Sequence, residues 1–133
     1  MKKSLLTEIL NRCQRDIPNH PEHDNFMHWT FIVQNNQIVS DGVNRNHEPP
    51  ISAGYHGRCC IERGFKPKWH SELDAVRRCK RKLQGCEVVN VRLNKSGEVR
   101  LSMPCVACRN LLYVVNASKV FFTTEFGWGS YAY

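Results

Sequence analysis

Two short runs hold residues able to do chemistry together: His70-Ser71-Glu72 and, further along, Pro104-Cys105-Val106-Ala107-Cys108. One imidazole and two thiols make three ligands for a tetrahedral zinc ion and leave its fourth position to water. A fourth Cys or His at matching spacing would close the site and make it structural. The two cysteines are three apart, so both sulfurs fall on one face of a helix's first turn. There the unpaired backbone N–H groups and the positive end of the helix dipole favour thiolate over thiol. Pro104 fits just before such a helix, since it ends the preceding strand and needs no N–H partner. Glu72 lies two residues beyond His70, beside the metal without being required as a ligand. That is the place for a proton carrier.

The elements that must position these residues follow from periodicity. Ser4 is placed to cap a first helix whose apolar residues Leu5, Leu6, Ile9, Leu10, Cys13 and Ile17 recur at helical spacing, stopping before Pro18. Trp29 to Val33 and Gln37 to Val43 read as a hairpin turned at Asn35-Asn36. A stretch from Asn44 to Trp69 follows, broken by Pro49, Pro50, Gly54, Gly57, Gly64 and Pro67, and a connection this long is more often functional than idle. The spacing predicts a helix from Ser71 to about Gln84, buried through Leu73, Val76 and Leu83 and ended by Gly85. Val88 to Leu93 and Val99 to Met103 read as strands joined by Lys95-Ser96-Gly97. The cysteine helix runs from Cys105 to about Asn116 on the apolar face Leu111, Leu112, Val114 and Val115, and Lys119 to Thr124 is a strand. The rest has room for one short strand after a Gly-containing turn. Helices set between strands predict a layered α/β domain, a single unit over residues 1–133, with no repeat and no low-complexity tract.

Composition narrows the class. The chain has 133 residues, a net charge of +7 and seven cysteines, with a sequence pI near 9.2. An anionic partner or substrate is expected, whether a phosphate-bearing nucleotide or a nucleic-acid strand. The cysteine count is odd, two are taken by the metal reading, and no signal peptide or membrane span is legible, so a reducing, cytoplasmic setting with free thiols is expected. The densest basic run, Arg77, Arg78, Lys80, Arg81 and Lys82, reads first as the solvated C-terminal half of a helix, complementing its dipole, and second as a phosphate-tracking stripe.

The two motifs, in this order and context, resemble those of the cytidine deaminase superfamily. His70-Ser71-Glu72-Leu73-Asp74-Ala75 is similar to the family's first motif, where Ala is common in place of Ser71, and Met103-Pro104-Cys105-Val106-Ala107-Cys108-Arg109 to its second. Asp41-Gly42-Val43-Asn44 is similar to the Gly-x-Asn that closes the family's first hairpin. The resemblance implies a three-layer α-β-α fold with a central mixed five-stranded sheet and both motif helices on one face. It implies zinc held by His70, Cys105 and Cys108, and cytosine deaminated to uracil by zinc-bound hydroxide, with Glu72 shuttling the protons. It further implies substrate contacts from Asn44 and from the backbone at Ser71 and Cys105, and a homo-oligomer, since neighbouring subunits commonly complete the pocket. Asn46 stands where free cytidine deaminases usually carry the glutamate that grips the ribose. The Trp-Ser-x-Pro-Cys form of the vertebrate polynucleotide editors is absent.

The substrate expected is a free cytidine or deoxycytidine nucleoside or nucleotide. A cytosine in single-stranded DNA or RNA is the alternative substrate, and a zinc-stabilised nucleic-acid-binding module without catalysis is the rival from another class. Arg45, Arg58 and Lys68, in the basic connection between Asn44 and His70, are the phosphate candidates. Phe126 and Trp128 are the stacking candidates, although a place in the core or an interface is the commoner use of an aromatic. Arg109 is expected to hydrogen-bond the thiolates and temper their charge. His47, His56, Cys59 and Cys60 offer a second zinc site, against which adjacent cysteines chelate poorly. A basic deaminase of this size outside the familiar branches is compatible with a bacterial cytoplasm or with a host cytoplasm if viral.

Overall fold

A computed structural model of the chain describes residues 1–21, 26–45 and 69–133. Helix α1 (Lys3–Asp16) buries Leu6, Ile9 and Cys13, one stripe of its surface. It begins at Lys2, whose extended backbone presents its carbonyl to the N–H groups of Leu5 at 3.1 Å and Leu6 at 3.4 Å. Ser4 therefore lies inside the first turn and does not cap it. Pro18 turns the chain through a short 3₁₀ segment, Ile17–Asn19. Strands β1 (Phe26–Gln34) and β2 (Gln37–Val43) form the expected hairpin. Asn35 and Asn36 both take positive φ, 50° and 59°, the twist a two-residue turn demands.

Helix α2 (Ser71–Arg78) precedes β3 (Glu87–Asn94) and the two-residue β4 (Val99–Arg100). Helix α3 (Val106–Val114), β5 (Lys119–Thr124) and β6 (Gly127–Ala132) complete the order. The sheet runs β2-β1-β3-β5-β6, with β4 attached to β3. It is mixed: β3 and β5 are parallel, joined by a crossover that contains α3, and the other pairs are antiparallel. The expected five-stranded sheet is thus a five-strand path plus a sixth short strand, which meets β3 at Arg92 and Leu93, beyond the Asn90 where β5 stops.

Two apolar clusters flank the sheet and make it the middle of three layers. Leu6, Ile9 and Cys13 of α1 meet Trp29, Phe31, Val33, Val89, Val91 and Leu93 on one face. Ala75 of α2 and Leu112 of α3 meet Ile32, Val88 and Val120 on the other. Alternation along β1 and β3 puts Thr30 and Asn90 on this second face, opposite each other in register. Helix α2 lies close on β2. Ser40 Oγ donates to Ala75 O at 2.8 Å, and a Cβ on Gly42 would stand 2.7 Å from Ser71 O and collide with Ala75 N.

Two expected elements are shorter than their periodicity indicated. Helix α2 ends at Arg78, where Cys79 turns extended while its N–H still reaches Ala75 O and Val76 O. Continuing the helix would stack Arg77, Arg78, Lys80, Arg81 and Lys82 at repulsive spacings. Arg77 and Arg78 do occupy its last turn, where cations suit the dipole. Gly85, with φ 74°, serves the turn into β3 instead of ending the helix. The strand expected to Met103 stops at Arg100 because Ser102 is drawn to β5, its N–H donating to Thr123 O at 3.0 Å. No helix among the described residues is long and apolar enough to cross a membrane.

Candidate metal centre

Both motif helices begin at a candidate ligand. His70 is extended just before α2, and its carbonyl takes the Asp74 N–H at 3.1 Å. Cys105 is extended just before α3, and its carbonyl takes the Arg109 N–H at 2.8 Å. Each is therefore the N-cap residue, so the first-turn N–H groups and positive dipole ends of two helices lie beside the ligand atoms. The cysteine helix, expected from Cys105 to Asn116, spans Val106 to Val114, with Cys105 capping and Cys108 in its first turn; of its expected apolar face, Leu112 is buried and Val114 is exposed.

His70 Nδ1 stands 3.7 Å from Cys105 Sγ and 3.4 Å from Cys108 Sγ, and the three ligand atoms lie within 4.8 Å of one another. Zinc bonds of about 2.0 Å to nitrogen and about 2.3 Å to sulfur, at a tetrahedral angle, require nitrogen-to-sulfur separations of about 3.5 Å. The residues fit that ion in number, type and spacing. Cys108 is buried while His70 and Cys105 are partly exposed. A hydrogen bond from Cys108, opposed by burial and helped by His70, lowers Cys105 to about 3. Burial pushes Cys108 well above the usual thiol range. One thiolate is thus favoured by the chain itself, and a dication would draw off the second proton.

Glu72 is buried in the first turn of α2, and its Oε1 accepts from Ser71 Oγ at 3.0 Å. Asp74, one of the residues whose part sequence reasoning missed, ties this turn to its surroundings. Its carboxylate accepts from Val43 N–H at 3.0 Å, Arg45 Nε at 3.0 Å and Trp69 Nε1 at 3.2 Å. The end of β2 and the residue before His70 are thereby fixed to α2.

The remaining expected site residues are distributed unevenly. Asn44 Oδ1 accepts from the His28 N–H at 3.0 Å, closing the hairpin and leaving its amide NH₂ as the group it offers. Arg45 donates through Nε to Asp74 and lies over the Trp69 ring at 5.7 Å, so its charge serves a buried carboxylate. Arg109 is exposed, and its carbonyl accepts from Tyr133 Oη at 2.7 Å. No hydrogen bond joins its guanidinium to either sulfur among the described residues. Phe126 is almost fully exposed in the turn between β5 and β6. Trp128 packs with the α1 cluster, on the sheet face opposite the metal ligands, which removes it from stacking there. Tyr131, on the metal-ligand face, feels the charge of Glu72, and burial raises its phenol. Arg58, Lys68, Asn46 and the set His47, His56, Cys59 and Cys60 lie outside the described residues.

Thr30, Asn90, Ser102 and Thr123 also escaped sequence reasoning, and all four are buried polar residues beneath the site. A signal was present. Thr30 interrupts Trp29-Phe31-Ile32-Val33, and Asn90 interrupts Val88-Val89-Val91, each a lone polar group in an apolar strand.

No family model matches the chain, and no curated protein matches it in sequence. Solved structures do match it in shape. A dCMP deaminase from the cyanophage S-TIM5, in complex with dCMP and dUMP, superposes with a TM-score of 0.56 at 19% identity, covering 90% of this chain and 81% of the other. A cytidine deaminase from Mycobacterium leprae superposes with a TM-score of 0.50 at 16% identity, covering 91% and 88% respectively.

Proposed function

We propose that this chain, which has the fold of the cytidine deaminases, is a zinc-dependent hydrolase that converts cytosine to uracil in a free cytidine or deoxycytidine nucleoside or nucleotide. One observation carries the reading: the ligand atoms of His70, Cys105 and Cys108 converge within 4.8 Å of one another, and the buried carboxylate of Glu72 belongs to the helical turn that His70 caps. The bound ion would supply a lowered pKa for water and so a nucleophile at neutral pH.

The chain's own groups do the rest. Glu72 takes a proton from the attacking water, delivers it to ring N3 and returns one to the departing amine, so that water and the C4 amine become the C4 carbonyl and ammonia. Ser71 holds one oxygen of that carboxylate, and the backbone at Ser71 and Cys105 borders the base. Burial of Glu72 keeps bulk water from short-circuiting the transfer. A nucleotide substrate is supported by the net charge of +7 and by the dCMP and dUMP bound to the cyanophage relative. Arg45, whose Nε is held by Asp74, is with Arg58 and Lys68 a phosphate candidate.

The test is ammonia release by the zinc-loaded protein from cytidine, deoxycytidine, their monophosphates and a cytosine-containing single strand. Turnover of a free nucleoside or nucleotide is expected. Glu72→Gln should retain zinc and fold while losing at least about a hundredfold in kcat. Full activity in that variant would refute the proton-carrier role. Turnover confined to the strand would favour a polynucleotide editor, and none with zinc bound would favour the non-catalytic module.

A further inference from the structure

Beneath Glu72 the sheet carries a buried polar chain where apolar packing would be expected. Asn90 Nδ2 donates to Ser102 O at 3.2 Å, which fixes the amide so that Oδ1 faces β1. Thr30, its cross-strand neighbour, donates its hydroxyl to that Oδ1 at 2.7 Å. Thr30 Oγ1 lies 2.8 Å from Ser71 Oγ, and Ser71 Oγ lies 3.0 Å from Glu72 Oε1. Ser102 continues the chain the other way: its Oγ donates to Asn90 O at 2.8 Å and accepts the Thr123 N–H at 2.8 Å. None of these six residues is more than 6% exposed.

A valine at 30 and an aliphatic at 90 would pack the sheet at no desolvation cost, whereas buried hydroxyls and amides are tolerable only when satisfied. What the polar chain provides and an apolar pair could not is a fixed place for Ser71 Oγ, and through it for the Glu72 carboxylate. Thr30 gives its one proton to Asn90 Oδ1, so the single hydroxyl proton of Ser71 faces two acceptors, Thr30 Oγ1 and Glu72 Oε1. Thr30 Oγ1 therefore stands as a fixed acceptor beside Ser71 and limits where that hydroxyl can sit, 3.0 Å from Glu72 Oε1. Asn90 also steadies the segment that leads from Ser102 to the ligand Cys105, so one residue of the central strand braces both halves of the site.

We infer that Thr30 and Asn90 are positioning residues that hold Ser71 and Glu72 in their working geometry, an inference that rests on the deaminase reading above. Thr30→Val keeps the shape and removes the hydroxyl, and Thr30→Ser keeps the hydroxyl. The valine variant is expected to bind zinc one-to-one and to lose about tenfold or more in kcat with KM within about twofold, while the serine variant recovers to within about threefold of wild type. A zinc-loaded valine variant with kcat within about twofold of wild type, or a serine variant as impaired as the valine one, overturns the inference. If Thr30→Val does not fold, Ser71→Ala against Ser71→Thr makes the same comparison, and an unchanged kcat in Ser71→Ala overturns it. A crystal structure of the valine variant, or of Ser71→Ala in that event, separates the two readings. If wild type turns over no cytosine substrate, the deaminase reading falls. Even then, a Glu72 carboxylate displaced by about 1 Å or more supports the positioning role, and an unmoved one ends it.

Discussion

A buried carboxylate is tolerable only with its oxygens occupied, and Asp74 meets that condition with three donors, two from the end of the hairpin and one from the residue before His70. Asp74→Ala would leave the Val43 N–H and the Trp69 indole N–H without their acceptor and release Arg45. A loss of about 3 kcal/mol is expected, with Asp74→Asn intermediate because it retains an acceptor oxygen. Urea denaturation of the two variants checks this, and a cost in Asp74→Ala below about 1 kcal/mol would mean the hub is dispensable. The residues proposed to do chemistry were legible in the sequence because imidazole, thiolates and carboxylate are rare types at constrained spacings. Those that hold them were not. Asp74 looks like any acidic residue in a first helical turn, and Thr30 and Asn90 acquire meaning only when β1 and β3 are paired and set under α2.

At the level of elements, the contact between β2 and α2 decides where the first motif sits. Gly42 has no side chain because the backbone of α2 occupies that space, at Ser71 O and Ala75 N. Gly42→Ala would force the helix outward and carry His70 and Glu72 with it. Overpacking of this kind costs about 1–3 kcal/mol, and here the obstacle is backbone that cannot rotate away, so the upper end is expected together with a fall in kcat. Thermal denaturation and turnover of the variant test it; an unchanged melting temperature would show that α2 is free to shift. Local signals read the hairpin correctly, since Asn35-Asn36 states its own turn chemistry. They misread the end of α2. Leu83 falls in helical phase with Leu73 and Val76, yet the intervening cations break the helix and Leu83 belongs to the turn, where its carbonyl accepts from Cys86 N–H at 2.9 Å.

For the molecule as a whole, the described residues fill the two faces of the sheet with different side chains. The α1 face carries Trp29, Phe31, Met27 and Leu93, whereas the opposite cluster is built largely from Ile32, Leu112 and valines, with Ala75, Ala117 and Cys86. Among the described residues the apolar side chains beneath α2 and α3 are smaller than those beneath α1, and the three candidate ligands stand at the start of one helix and of the other. Metal bonds there would act as a cross-link between the two helices. Binding to the folded state alone adds RT ln(1 + [L]/Kd), about 4 kcal/mol at a thousandfold excess of free metal over Kd. In a domain of this size that corresponds to a fall in melting temperature of about 10 °C or more when a chelator removes the ion, restored by adding zinc. Hydrogen exchange read in the same samples should show the loss of protection concentrated in α2 and α3 while α1 and its face of the sheet hold. A chelated protein that melts unchanged would mean that no metal joins these helices, and the smaller cluster would then have to hold them alone.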